Sequence, residues 1–130
     1  KSRQHYIRFN LPEGYHHLLD AGITKDYSMG YGSINGFRAS TASSFYWFDL
    51  SKNEQSNLRI HPFCYMEANS FYEQKLTPSQ AFEELMHYYT ICKEVKGTFI
   101  TIFHNHMIGS DKLFEGWGKM YVQFLEQVAK

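Results

Sequence analysis

The chain has 130 residues, 43% of them hydrophobic, which fits one domain over residues 1–130 built around a single core. Its 13 basic and 13 acidic side chains cancel, so there is no basic excess to draw it onto nucleic-acid phosphates or an anionic membrane, and neither partner is expected. No apolar run approaches the roughly 18 residues that span a bilayer, and Cys64 and Cys92, with no C-x-x-C spacing, indicate neither a disulfide framework nor a zinc knuckle.

The first residues, Lys1-Ser2-Arg3-Gln4-His5-Tyr6, are neither an initiator methionine nor a signal peptide. The expectation is a segment cut from a longer parent of unknown compartment, with a cytoplasmic, reducing setting as the default. Alternation in His5-Tyr6-Ile7-Arg8-Phe9 predicts a strand. Leu11-Pro12-Glu13 then opens a short helix with Tyr15, Leu18 and Leu19 on one side, stopped by Gly22. A second strand is predicted around Asp26-Tyr27-Ser28-Met29 and a third short extended piece at Gly36-Phe37-Arg38-Ala39. Phe45-Tyr46-Trp47-Phe48 and Leu58-Arg59-Ile60 are further strands, and the polar stretch from Ser51 to Asn57 reads as a surface loop between two aromatic-rich halves.

The best-specified helix begins at Thr77-Pro78-Ser79-Gln80, which supplies an N-cap hydroxyl, a proline at the first helical position and the glutamine of a capping box. Phe82, Leu85, Met86, Tyr89, Cys92 and Val95 recur at helical spacing, and Gly97 is expected to provide the left-handed stop. Thr98-Phe99-Ile100-Thr101-Ile102-Phe103 is a β-branched and aromatic run of the kind found in buried strands, closing at His104. After Gly109-Ser110, an apolar stripe from Leu113 through Trp117, Met120 and Phe124 to Val128 predicts a last amphipathic helix. Strands alternating with helices point to an α/β fold with a mainly parallel sheet flanked by helices, whose ligands bind outside the carboxyl ends of the strands.

That rule singles out His104, the first polar side chain after the buried run. Imidazole at a strand's end can work as a general acid or base or bind a metal, and a hydrogen-bonded structural histidine is the plainer alternative. The spacing His104-x-His106 places two imidazoles on one side of an extended chain, but a zinc centre needs at least three protein ligands, and no metal ligand is assigned in this chain. His16-His17 falls on a helix, where adjacent side chains diverge. Arg3 and Arg38 sit in extended segments where a guanidinium can pin a carboxylate or a substrate oxygen, or simply make a surface ion pair. Asp26 and Asp49 end extended stretches and are bases, ligands or turn caps. No G-x-S-x-G elbow, P-loop or dinucleotide fingerprint is present. Aromatic residues make up 18% of the chain, with ten Tyr and eleven Phe, which suits an aromatic core and also sugar-stacking surfaces.

The stretch G-T-F-I-T-I-F-H-N from Gly97 to Asn105 resembles the final strand motif of polysaccharide deacetylases, carbohydrate esterases built on a distorted (β/α) barrel. The segments R-Q-H-Y at Arg3 to Tyr6, G-I-T-K-D-Y-S-M-G-Y and G-F-R-A-S-T look like a bacterial branch of that superfamily. The resemblance implies that His104 is the general acid, protonating the leaving amine, and that Arg3 orients the base carboxylate, with Arg38 competing for that role. Tyr6, Tyr27, Trp47 and Asn105 are then expected to touch a glycan substrate. It further implies a divalent metal, zinc first, in the parent enzyme, where metal-bound water attacks the acetamide carbonyl. The family's paired aspartates and H-x-x-x-H metal motif have no match in this sequence. The chain is therefore expected to be the C-terminal portion of a deacetylase-like barrel, inactive alone, meeting either the parent's N-terminal segment or another copy of itself through open strand edges. The other reading is a non-catalytic carbohydrate-binding or structural module in which Tyr6, Tyr46, Trp47 and Trp117 stack on sugars or pack.

Overall fold

The computed structural model describes residues 1–129. Its first helix, α1 (Glu13–Asp20), ends as the sequence predicts. Gly22 takes the left-handed conformation, and the amides of Gly22 and Ile23 fold back onto the carbonyls of Leu19 and Leu18, satisfying groups that the helix end leaves open. Helix α2 (Pro78–Glu94) starts at the capping box: the Gln80 amide donates to the Thr77 hydroxyl, and the Thr77 amide donates to Gln80 Oε1 at 2.9 Å. Its end differs by one residue from the expectation. Lys96, at φ 53°, is the left-handed residue, and the Gly97 amide closes onto the Cys92 carbonyl. Gly97 is needed for a different reason: a Cβ there would lie 2.5 Å from the Cβ of Ala42. Helix α3 (Trp117–Val128) buries Trp117, Met120 and Phe124 on one side.

Five strands form two small sheets. β1 (Lys25–Asp26) pairs in parallel with β3 (Glu54–Ile60), and β2 (Phe45–Asp49) pairs antiparallel with β3. From Ile60 the chain runs on extended through His61–Cys64 into β4 (Tyr65–Met66), which pairs in parallel with β5 (Thr101–Ile102). One long segment thus serves both sheets. Alternation along it turns Leu58 and Ile60 into a core with Tyr15 and Leu18 of α1 and with Met29. The larger core lies between β4, α2 and α3, where Tyr65, Leu85, Trp117 and Phe124 are buried with Met107. Each fully buried large apolar side chain of this kind contributes about 1.5–3 kcal/mol.

The α/β class therefore holds, with parallel pairs alongside one antiparallel pair, and the sheets of three and two strands do not close into a barrel. Several predicted strands are shorter or absent. His5–Phe9 is not a strand: His5–Ile7 form a tight turn because Tyr6 and Ile7 adopt φ 57° and 56°, a left-handed geometry that cannot continue a ladder. The strand pairing there ends at Ser2, which bridges to Asp26. Gly36–Ala39 lies in a turn closed by the Ser40 amide on the Phe37 carbonyl. The stretch from Ser51 to Asn57 is not one surface loop: residues 51–53 turn the β2–β3 hairpin and β3 is already under way at Glu54. Thr98–Phe103 yields only β5, and none of its residues is fully buried, because among the described residues β5 pairs with β4 alone. No helix among the described residues is long and apolar enough to cross a membrane.

Candidate functional site

Strands β4 and β5 run side by side in the same direction, Tyr65 opposite Thr101 and Met66 opposite Ile102. Their carboxyl ends therefore deliver the next residues, Glu67 and, one step further on, His104, to the same rim. The Glu67 carboxylate is fully buried, while the His104 ring is 40% exposed. Glu67 Oε1 accepts the Nδ1–H of His104 at 2.8 Å and also the His104 backbone amide. An ionised carboxylate only accepts, so this contact fixes a proton on Nδ1 and leaves Nε2 as the uncommitted nitrogen. Glu67 Oε2 is buried with no hydrogen-bond partner. Sequence reasoning passed over Glu67. The signal was present, because Phe63-Cys64-Tyr65-Met66 is an apolar run ended by a polar residue, the same pattern that drew attention to His104.

His104 faces a cavity of about 750 Å³. Arg3, Tyr6, Asn69, Tyr72 and His106 share its wall, so segments about a hundred residues apart in sequence meet there. Tyr6 is 77% exposed, its ring open to solvent at the cavity wall. The Nε–H of Arg3 donates to the Tyr27 carbonyl at 3.3 Å, which holds the guanidinium plane while leaving its terminal nitrogens free. The segment is stitched in place by the Gln4 amide, which donates to the Ser28 hydroxyl at 2.8 Å. Asn69 donates to the carbonyl of Ile34 at 2.8 Å, anchoring the π-helical turn Asn69–Glu73 that forms the opposite wall.

Other residues singled out by the sequence lie elsewhere. Arg38 is outside the cavity: it donates to the Gly30 carbonyl at 3.3 Å and its guanidinium sits 4.9 Å over the Phe9 ring, a structural clamp. Tyr27 does not line the cavity and stacks on His61 at 4.5 Å. Trp47 does not line the cavity: it is partly buried and packs against Tyr15 and His16 beside the smaller core. Trp117 is core. Asn105 is exposed in the turn after His104 and does not line the cavity, whereas His106 does.

Both early aspartates are turn caps. Asp26 is buried and accepts from the Ser28 amide and hydroxyl and from the Tyr15 hydroxyl. Burial, followed by the charge of Asp26, pushes the Tyr15 phenol well up, so it remains a donor. Asp49 accepts from the Ser51 hydroxyl and amide and from His16 Nε2 at 2.7 Å. The Ser51 hydroxyl does most to hold the Asp49 carboxyl down at about 2, against the opposing effect of burial.

Among the described residues, no group of three or more His, Cys, Asp and Glu side chains is disposed to hold a metal ion. His104 and His106 form only a pair, their ring centroids 5.6 Å apart, and one nitrogen of His104 is committed to Glu67. Among the described residues the side chains therefore do not make a zinc cage, which needs at least three protein ligands. No protein-family model, no curated protein and no solved structure matches the chain.

Proposed function

We propose that the chain is the C-terminal portion of a polysaccharide deacetylase-like hydrolase that removes acyl groups from amino-sugar glycans, with His104 as its proton-transfer residue. The observation that carries the reading is the buried Glu67 carboxylate behind a cavity-facing His104. A carboxylate that fixes the tautomer of an imidazole and leaves Nε2 open to a ligand is the arrangement general acid–base catalysis requires. It also favours an enzyme over a sugar-binding or structural module. Burying a carboxylate with one bare oxygen costs stability, and stacking sugars on Tyr6 requires no such cost.

In this reading His104 first takes up a proton on Nε2, becoming imidazolium, and then hands that proton to the leaving amine, while Glu67 keeps Nδ1–H and holds the ring in register. Arg3, with its terminal nitrogens free at the cavity wall, orients the base carboxylate of the complete active site, and Tyr6 packs against the sugar. Asn105 and Arg38 have no part in it. The divalent metal of such a reaction, zinc first, supplies a Lewis acid and an activated water when bound. Its ligands belong to parts of the parent outside this chain. The open edge of β5, half-exposed along its length, is where the parent's N-terminal segment pairs, or where a second copy adds in its absence.

The test is a titration of the chain with N-acetylated chitohexaose, followed through the imidazole resonances of His104. Binding that moves His104 and His106, with no acetate released even when zinc is added, is expected. Robust deacetylation by this chain alone refutes the assignment of the metal ligands elsewhere, and a glycan that binds without disturbing His104 refutes the site.

A further inference from the structure

The chain as a whole carries no net charge, yet four of its cations gather beside the cavity. Strand alternation turns Leu58 and Ile60 inward against α1 and puts Arg59 on the opposite, outer face of the sheet. There the pairing register sets Lys25, Arg59 and Tyr46 side by side across β1, β3 and β2. Two residues further along each parallel strand comes the next row, Tyr27 stacked on His61, their planes only 9° apart. Beyond it the Arg3 guanidinium stands 5.9 Å from the centre of the Tyr27 ring, at the wall of the cavity that holds His104. The rows make a path: Tyr46, Arg59 and Lys25, then His61 and Tyr27, then Arg3, then the cavity.

No carboxylate among the described residues neutralises this path. Lys1, Arg3, Lys25 and Arg59 make no ion pair there. Asp26 attracts Arg3 but points to the buried side, where Ser28 and Tyr15 occupy its oxygens. Arg59 spends two nitrogens on the Ser44 hydroxyl, which orients the group without cancelling its charge. Tyr46 is half exposed. The positive field is felt at His61, whose imidazole is held below its ordinary value first by burial and then by Arg59, Lys25 and Lys1.

Resting on the glycan reading of the cavity, we infer that its substrate is an anionic polysaccharide, whose acidic groups lie on Arg3, Lys25 and Arg59 while its sugar faces pack on Tyr27 and Tyr46. Alternating rings and cations suit a polymer that alternates apolar sugar faces with carboxylates or phosphates. A nucleic acid is the less suitable occupant, since the cations are confined to this one strip of a neutral molecule.

Three hexamers separate the possibilities when titrated into the full chain at low salt: hexagalacturonate, neutral N-acetylated chitohexaose and hexathymidylate. Three exposed charge pairs make hexagalacturonate bind about tenfold tighter than chitohexaose. The margin should shrink as salt rises. Lys25→Gln/Arg59→Gln, two exposed positions whose replacement leaves the amide spectrum folded, should reduce it to about twofold. Equal affinities for the two sugars, a margin untouched by the double substitution, or tighter binding of hexathymidylate than of hexagalacturonate would each overturn the inference. If chitohexaose moves His104 and hexagalacturonate does not, the inference falls while the reading of the cavity stands. If neither sugar reaches His104, both fall.

Discussion

Replacing Glu67 by glutamine separates the two demands placed on that side chain. In the native protein Oε1 accepts two N–H groups of His104 and Oε2 is buried without a partner. Glutamine keeps the shape and one acceptor oxygen but discards the charge. Hydrogen bonds to an ion contribute about 1.5–3 kcal/mol and neutral ones about 0.5–1.5 kcal/mol, so the two bonds together weaken by about 2–3 kcal/mol. Against this stands relief from desolvating an ion whose second oxygen is bare, an effective penalty of several kcal/mol. The terms nearly cancel, and Glu67→Gln should unfold in urea within about 1–2 kcal/mol of the native protein, on the stable side if relief dominates. The imidazole, by contrast, should lose its enforced tautomer, because an amide can present either its oxygen or its NH₂ to Nδ1. Urea melts followed by tryptophan fluorescence give the first quantity, and long-range ¹H–¹⁵N correlation of His104 gives the second. A loss above about 4 kcal/mol would make Glu67 a structural strut of the β4–β5 junction. A native His104 protonated on Nε2 alone would remove the basis for its catalytic role.

Four further outcomes can be checked by melting curves. His61 is held below its unfolded value of 6.5 by burial, so the unfolded chain takes up that proton at higher pH than the folded one. Stability should then be lost as pH falls below about 6.5, a loss absent from His61→Gln. Asp49, depressed to about 2 from 3.8, contributes in a lower window: its share is full above about 3.8 and disappears as pH falls through about 2, a step that Asp49→Asn should abolish. Gly97→Ala should cost about 1–3 kcal/mol through the 2.5 Å approach to the Ala42 methyl, and Ala42→Gly in the same chain should recover part of it. Thr77→Ala, which dismantles the capping box, should cost about 1 kcal/mol.

The helices were legible because their signals are local. The capping box at Thr77, the stop at Gly22 and the stripe through Trp117 and Phe124 are each read within one or two turns, and each forms as expected. Strands depend on partners that a short window does not contain. His5–Phe9 has the right alternation, but the pairing stops at Ser2 and the chain turns at Tyr6. Thr98–Phe103 has the composition of a buried strand but gains one neighbour only. His104 was found because a polar residue after an apolar run marks the rim of a parallel sheet. Glu67 ends a run of the same kind and was missed because β4 is only two residues long. Arg38 was drawn into the site by neighbouring small polar residues, although its reach is inward, to Gly30 and Phe9.

Ser2 exchanges two backbone hydrogen bonds with the β1 segment, its amide to Lys25 and its carbonyl from Tyr27, at 2.8 and 2.9 Å. With the Gln4 contact to Ser28, this short zipper is what presents Arg3 and Tyr6 to the cavity. The stretch of cavity wall from Arg3 to Ile7 therefore hangs on a hem of a few residues that can fray without unfolding either core. A bulky fusion joined ahead of Lys1 would tug on that hem, whereas the same fusion beyond α3 would leave it alone.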